Sequence, residues 1–119
     1  MSTSLTNFFT AWTTADADSR RDLIASAVSD DFYYVDPMTS DPITDVAGMD
    51  AYAANFLGMC PPGVSVFVKD PIDEKLCHIR ATVVFAMSPE MQQIGQYFAD
   101  LDADGKITRM IGYAGKGAE

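Results

Sequence analysis

The first half of the chain carries its apolar residues at helical spacing. Intervals of three and four predict a first helix over residues 6–15, with an apolar stripe formed by Leu5, Phe8, Phe9 and Trp12. Ser19 and Asp22 resemble a capping box, which predicts the start of a second helix. A third helix is expected from Gly48 to the residues before Pro61, because proline interrupts helical hydrogen bonding.

The other segments are typical of β-strands. Residues 32–35 are aromatic and β-branched, and the run stops at Asp36-Pro37 because proline has no N–H to give to a neighbouring strand. Four further runs contain alternating or β-rich apolar residues, and turn residues separate them. These runs cover residues 64–68, 76–87, 92–101 and 106–113. Helices followed by a four-stranded meander predict an α+β fold with the helices on one face of the sheet.

Length and charge narrow the range of partners. A chain of 119 residues fits one domain, here residues 1–119. Its formal charge of -9 repels nucleic-acid phosphates and anionic membrane surfaces. No stretch approaches the roughly 20 apolar residues that span a bilayer, and the start lacks the pattern of a signal peptide. We therefore expect a cytoplasmic protein that binds neither nucleic acid nor membranes.

The sequence predicts no metal and no cofactor. Cys60 and Cys77 are isolated, and His78 is the single histidine, so the clustered ligands of a zinc site are missing. The run from Asp100 to Gly105 resembles the start of a calcium-binding loop, but Ile111 stands where that loop needs a glutamate. A tight hairpin explains this run without a metal.

The order of these segments resembles the SnoaL-like family of the nuclear-transport-factor-2-like superfamily. The resemblance rests on residues 29–37, on the helix after Gly48 that reaches Phe56, and on the hairpin and strand of residues 104–113. It implies a cone-shaped, cystatin-like fold in which N-terminal helices and a curved antiparallel sheet enclose a pocket. It also implies homodimers through the convex sheet face, where we expect His78, Arg80, Thr82, Ile111 and Tyr113.

Asp36 is the candidate catalytic residue. The stretch from Trp12 to Pro37 is spaced like that of ketosteroid isomerases, a resemblance that implies Asp36 in the place of their general base. Strand alternation puts Asp36 on the side of Phe32 and Tyr34, and a carboxylate buried among aromatic rings is more basic than one in water. The alternative is that Asp36 caps the turn at Pro37 or the loop that follows.

Two positions depart from the isomerase pattern. Trp12 stands where those enzymes have an oxyanion-binding tyrosine, and Tyr97 stands where they have a protonated aspartic acid. The loss of one such donor costs about 3 kcal/mol of transition-state stabilisation, so steroid isomerisation is not expected. Trp12 and Tyr97 can still donate one hydrogen bond each.

Alternation along residues 77–85 separates a pocket face from an outer face. It places His78 and Arg80 on the outer face, away from Asp36. The histidine–aspartate and aspartate–arginine–aspartate sets of related dehydratases and epoxide hydrolases therefore do not converge here. The predicted ligand contacts are Trp12, Tyr34, Phe56, Ile79, Ala81, Val83, Tyr97 and Met110.

Two functions remain open from the sequence. The first is a proton-transfer enzyme of the ketone isomerase or polyketide cyclase type, in which Asp36 removes a proton beside a carbonyl and Trp12 or Tyr97 binds the enolate. The second is a binder of a small lipophilic molecule, or a structural dimerisation module, without proton chemistry. An enzyme needs a second polar group in the pocket, and Trp12 and Tyr97 are the candidates for it.

Overall fold

The computed structural model describes residues 3–115, apart from the side chains of Asp70 and Pro71. It contains three α-helices, and a short 3-10 turn, Ala11–Thr13, follows the first of them. The helices are α1 (Thr3–Thr10), α2 (Ala17–Ala27) and α3 (Val46–Met59). The strands are β1 (Val28–Val35), β2 (Ser65–Lys75), β3 (His78–Ser88), β4 (Met91–Leu101) and β5 (Ile107–Ala114). The predicted α+β fold, with helices on a curved sheet, is confirmed.

Aspartate caps set the starts of two helices. α2 begins after Asp16, whose carboxylate accepts a hydrogen bond from the Ser19 N–H at 2.9 Å. The prediction that Ser19 itself opens this helix is therefore wrong. α3 begins after Asp45, whose Oδ1 accepts from the Gly48 N–H at 2.7 Å, so the helix starts two residues before that glycine.

The sheet is mixed rather than wholly antiparallel. Its strand order is β1-β5-β4-β3-β2, and β2 to β5 form the expected antiparallel meander. β1 joins the sheet parallel to β5, with Val35 paired to Ile111. The chain can make this connection because α3 and the meander lie between the two strands. As a result, the C-terminal ends of β1 and β5 lie at the same edge of the fold.

β2 is longer than the sequence predicted. It continues through residues 70–73, where a turn was expected, and its register against β3 shifts between Lys69 and Asp73. β2 is an edge strand. Strands tolerate a proline at the edge of a sheet and where the pairing register shifts, because the missing N–H is not needed there for a hydrogen bond.

The core lies between the helices and the inner face of the sheet. Ile79, Ala81 and Val83 of β3 are buried, whereas His78 and Arg80 are exposed, so the predicted parity of this strand is confirmed. The same core cluster contains the apolar stripe of α1 and the inward side chains of β1, namely Leu5, Phe8, Phe9, Phe32 and Tyr34. None of the helices within residues 3–115 is long and apolar enough to cross a membrane.

A buried ion pair joins α2 to α3. Nε of Arg20 lies 2.6 Å from Oδ1 of Asp50, and Nε of Arg21 lies 3.0 Å from Oδ2. Burial alone would raise the pKa of Asp50, but the hydrogen bonds and charges of Arg20 and Arg21 outweigh it and hold the pKa below its usual value. Asp50 is therefore ionised and fixes the angle between the two helices.

Candidate functional site

A cavity of about 480 Å³ opens beside the C-terminal end of β1. The turn after β1, α3, the start of β4 and the end of β5 all contribute to its wall. The parallel pairing of β1 with β5 brings these parts together, because both strands finish at this edge. The aromatic and acidic part of this wall consists of Trp12, Asp36, Tyr52, Phe56, Phe85 and Tyr97.

The carboxylate of Asp36 is the centre of a hydrogen-bond network in this wall. Its Oδ2 accepts from the Tyr34 hydroxyl at 2.6 Å. The Tyr52 hydroxyl lies 2.7 Å from Oδ1 and 2.8 Å from Oδ2 and so bridges the two oxygens. Oδ1 also accepts from the backbone N–H groups of Met38 at 2.9 Å and Thr39 at 3.1 Å.

Asp36 lies both in the turn after β1 and in the wall of the cavity. The N–H groups of Met38 and Thr39 make Asp36 the cap of the turn that follows β1. Thr39 strengthens this turn, since its Oγ1 accepts from the Asp36 N–H at 3.1 Å and donates to the Asp36 carbonyl at 3.0 Å. The same carboxylate lines the cavity. The turn therefore orients a charged group toward the space that a ligand would occupy.

Three tyrosines around Asp36 remain protonated. Burial raises the pKa of Tyr34, and the neighbouring Tyr97 and Asp36 raise it further. Burial is also the main cause of the raised pKa values of Tyr52 and Tyr97, and the negative charge of Asp36 adds to it in both. Since a phenol beside a carboxylate loses its proton with difficulty, these hydroxyls act as hydrogen-bond donors.

Trp12 supplies an unused donor and the centre of the aromatic wall. Its Nε1–H is buried and has no hydrogen-bond partner among the described residues. The indole lies against Tyr52, Phe56 and Phe85, with ring centroids 5.6, 5.1 and 5.6 Å apart. The interplanar angles of 87°, 69° and 56° are edge-to-face or tilted, the arrangements that aromatic pairs prefer. These contacts hold the wall in one shape.

Tyr97 lies flat on the sheet because two glycines leave room for it. A Cβ atom at Gly112, the residue paired with Tyr97 on β5, would lie 2.5 Å from Cε2 of the tyrosine ring. A Cβ atom at Gly95 would lie 2.9 Å from Cε1. In this position the ring stacks on that of Tyr34, with centroids 6.5 Å apart and planes at 15°.

Comparison with known proteins identifies the fold of this chain. No family model matches the sequence, and no curated protein matches it. Among solved structures, a candidate isomerase of the SnoaL-like family from Agrobacterium tumefaciens is similar, with a TM-score of 0.79, 21% identity and 92% of each chain covered. The chain has the SnoaL-like fold. At this identity the likeness concerns the fold and leaves the activity open.

Two further structures show how varied the proteins with this SnoaL-like fold are. A protein with a ketosteroid isomerase-like fold from Catenulispora acidiphila, in complex with trimethylamine, has a TM-score of 0.71 and 16% identity, covering 92% of this chain and 83% of its own. An LEH-like epoxide hydrolase from Mycobacterium tuberculosis has a TM-score of 0.59 and 20% identity, covering 96% and 84%.

The SnoaL-like fold brings half of the predicted site together. Asp36 shares the cavity with Trp12, Phe56 and Tyr97. Tyr34 is fully buried behind the wall and reaches the site through its bond to Asp36. Four predicted contacts do not line this cavity and pack in the core instead: Ile79, Ala81, Val83 and Met110.

The position of α1 explains why these four residues do not line the cavity. Phe9 packs edge-to-face on Tyr97 at 5.0 Å, and Phe8 contacts Tyr34 at 5.4 Å. The helix therefore fills the space over the middle of the sheet, and the cavity is confined to the edge near Asp36. Alternation along a strand predicts the face on which a side chain lies, but not the place along that face where space is left open.

Tyr52 and Phe85 line the cavity, and the sequence analysis predicted neither of them as a ligand contact. Tyr52 lies in α3, and its hydroxyl contact with Asp36 joins this helix to the end of β1. Helical spacing gives the direction of a side chain from its own helix and contains no information about a turn in another element. The polar end of a tyrosine on an otherwise apolar face was the signal available.

The outer face of the sheet carries a separate set of ion pairs. Nδ1 of His78 lies 2.6 Å from Oδ1 of Asp100, whose Oδ2 lies 2.7 Å from Nη2 of Arg109. His78 therefore lies away from Asp36, as predicted, and has Asp100 as its acidic neighbour. The hydrogen bond from His78, helped by Arg109, lowers the pKa of Asp100. Arg80 pairs with Asp73 at 2.8 Å on the same face.

Among the described residues, potential metal ligands are not clustered at the cavity or on the outer sheet face. Residues 3–115, leaving aside the two side chains that are not described, contain no group of three or more His, Cys, Asp or Glu that could hold a metal ion. In the turn at residues 102–105, Oδ1 of Asp102 instead accepts from the N–H groups of Asp104 and Lys106, both at 2.9 Å. Gly105 adopts a φ of 80°, which suits a hairpin.

Proposed function

We propose that the protein binds a small, mainly apolar organic molecule in the cavity beside Asp36. The observation that carries this proposal is a largely apolar cavity of about 480 Å³ with the hydrogen-bond network of Asp36 in its wall. Ligand sites of proteins have volumes of roughly 300–1,000 Å³ and combine apolar walls with a few placed polar groups. The aromatic contacts of Trp12 with Tyr52, Phe56 and Phe85 form one wall of this space.

The saturation of Asp36 favours binding over proton transfer. A carboxylate has about four lone-pair positions. Two tyrosine hydroxyls and two backbone N–H groups already occupy them here. A substrate proton could reach Asp36 after Tyr52 has moved away, so the site as it stands recognises a ligand more readily than it abstracts a proton.

The emission of Trp12 provides the test. Trp12 is the single tryptophan of the chain and lies in the cavity wall, so its fluorescence reports occupancy directly. A panel of monocyclic and bicyclic ketones, alcohols and amines should contain compounds that change this emission saturably. Phe56→Ala should weaken that binding by about tenfold, because a buried aromatic contact is worth roughly 1–2 kcal/mol or more.

Phe67→Ala is the matched control. Phe67 is exposed on β2 outside the cavity, so the same substitution there should leave the affinity unchanged. Unchanged Trp12 emission with every compound of the panel would contradict the proposal. So would an equal loss of affinity in both variants, because the binding would then not depend on the cavity wall.

Proton transfer by Asp36 is the second candidate function. The Nε1–H of Trp12 favours it, because this donor has no partner among the described residues and the indole lines the same cavity as the carboxylate. In this scheme Asp36 takes a proton from the carbon beside a ketone, and Trp12 donates a hydrogen bond to the enolate oxygen that forms. Tyr97 is the other donor that could stabilise this oxygen.

Deuterium exchange of bound ketones tests the second candidate. If Asp36 is a base, the protein should accelerate exchange at the α-carbon, and Asp36→Asn should abolish the acceleration. Tyr52→Phe should increase it, because this change frees lone pairs on Asp36. Ketones that bind without any accelerated exchange would leave the protein as a binder alone.

We also propose that a second copy of the chain covers the outer sheet face. Phe98 and Tyr113 are 42% and 57% exposed there and contact each other at 5.7 Å. The ion pairs of Asp100 and Asp73 flank them. Exposed aromatic residues beside satisfied charges are typical of the centre and rim of a protein interface.

A further inference from the structure

We propose that this cavity selects an organic cation, an ammonium ion with apolar substituents, over neutral molecules of the same shape. The inference rests on the proposed binding function and specifies the class of its ligand. It starts from Asp36, a negative charge in the wall of a largely apolar cavity that is rich in aromatic rings.

No basic side chain described in the structure offsets this charge. Arg20 and Arg21 pair with Asp50. On the outer face, Arg80 pairs with Asp73, and Arg109 pairs with Asp100. Within residues 3–115, no Lys, Arg or His forms an ion pair with Asp36, and none lines the cavity.

The groups that hold Asp36 are neutral. Phenol hydroxyls and backbone N–H groups orient the carboxylate and stabilise it, but its full negative charge remains. Attraction between opposite charges is much stronger in a partly desolvated site than in water. A cation in the cavity gains this attraction, whereas an anionic ligand is repelled.

Hydrogen bonding further restricts the type of cation. The oxygens of Asp36 are already occupied, so the ligand gains little from N–H groups of its own. The wall offers aromatic rings instead, which attract cations through their faces. Trp12, Tyr52, Phe56 and Phe85 are the rings concerned. A tertiary or quaternary ammonium ion with apolar substituents satisfies both conditions, because it carries charge and needs few acceptors.

Two probes of equal shape test this selectivity. Benzyltrimethylammonium and neopentylbenzene differ in one atom, a charged nitrogen in place of a carbon. Titrated against the Trp12 emission of the intact protein, the ammonium compound should bind at least about tenfold more tightly, as expected for a cation beside a carboxylate and aromatic rings.

The two probes separate this inference from the function on which it rests. Equal binding, or tighter binding of neopentylbenzene, would overturn the cation selectivity and leave the proposed binding of apolar molecules intact. If neither probe changes the emission, nor any compound of the ketone, alcohol and amine panel, both proposals fail.

Variants locate the selectivity at one carboxylate. Asp36→Asn should reduce the ratio of the two affinities to about threefold or less, since ring contacts alone remain. Asp73→Asn removes the same charge from the outer face and should preserve the ratio. The ratio is measured within each variant, so a general loss of binding does not imitate the effect. Loss of selectivity in Asp73→Asn as well would assign it to net charge and overturn the role of the cavity.

Discussion

The ring of Tyr97 rests on the backbone of Gly112, and a methyl group at that glycine would lie 2.5 Å from ring atom Cε2. Tyr97 is itself held between this strand and Phe9 at 5.0 Å. Gly112→Ala should therefore destabilise the protein by about 1–3 kcal/mol, the usual cost of forcing extra volume into a packed core. Urea denaturation followed by Trp12 fluorescence measures this change.

Gly58→Ala is the control for that substitution. Gly58 lies in α3, and a Cβ atom there would meet nothing within 4 Å. Alanine is a better helix former than glycine, so this change should stabilise the protein by roughly 0.4–1 kcal/mol. Equal effects of the two substitutions would show that the contact between Tyr97 and Gly112 is not close.

High pH should destabilise the fold through its buried tyrosines. The pKa values of Tyr34 and Tyr97 are raised in the folded protein, mainly by burial, whereas tyrosines of the unfolded chain ionise near pH 10. Their stabilising contribution is complete below about pH 10. Above it the unfolded state releases protons that the folded state retains, so stability falls by about 1.4 kcal/mol per pH unit for each such tyrosine.

Urea denaturation on both sides of pH 10 measures this loss, and tyrosinate absorbance provides an independent check. The folded protein should show less tyrosinate than the unfolded chain at the same alkaline pH. A folded protein in which all five tyrosines ionise together with those of the unfolded chain would disprove the burial of these hydroxyls.

The ion pair between α2 and α3 should be the most sensitive charged contact of the fold. Asp50→Ala leaves the buried charge of Arg20 without an ionic partner, although its bonds to the Thr14 and Ala15 carbonyls remain, and should cost about 3 kcal/mol of unfolding free energy. The pKa of Asp50 is lowered in the folded state, so its contribution is present above about pH 4 and is lost as the pH falls further. Thermal and urea denaturation at neutral and acidic pH measure both effects.

Asp73→Ala breaks an ion pair of similar length at an exposed position. Because solvent screens the pair between Asp73 and Arg80, the cost should be at most about 1 kcal/mol. A larger loss from Asp73→Ala than from Asp50→Ala would contradict the difference in burial between the two pairs.

The proposed dimer can be tested at Phe98. Phe98→Arg places a charge beside Arg80 and Arg109 on the outer face, so two copies should repel each other there. We expect light scattering to give twice the mass of the chain for the unchanged protein and the mass of one chain for this variant. Leu76→Arg, at an 82% exposed position between β2 and β3, should remain dimeric. A monomeric unchanged protein would refute the dimer.

The features that the sequence analysis predicted depend on local periodicity. Three helices and the inward face of β3 follow from spacing of three to four residues and of two, because those periods are properties of the backbone itself. The turn at Asp36 follows from the local preference of an aspartate before proline. The residues Asp36, Trp12 and Phe56, which these signals singled out, line one cavity.

The features that it did not predict depend on contacts between distant segments. The bridge from Tyr52 to Asp36, the parallel pairing of β1 with β5 and the bond of His78 to Asp100 each join residues that no short pattern relates. The open cavity likewise results from what α1 fills and what it leaves empty. Packing in three dimensions decides these features, so a pattern along one segment cannot contain them.

The pairing of β1 with β5 also sets the order in which the protein can mature during biosynthesis. Asp36 leaves the ribosome early, yet the strand beside it is formed by residues 107–114, which are translated much later. Until those residues emerge, one wall of the cavity is missing and the edge of β1 has no neighbour in the sheet. A nascent chain therefore completes the cavity in one late step, and the proposed ligand would act on the finished fold rather than on its early intermediates.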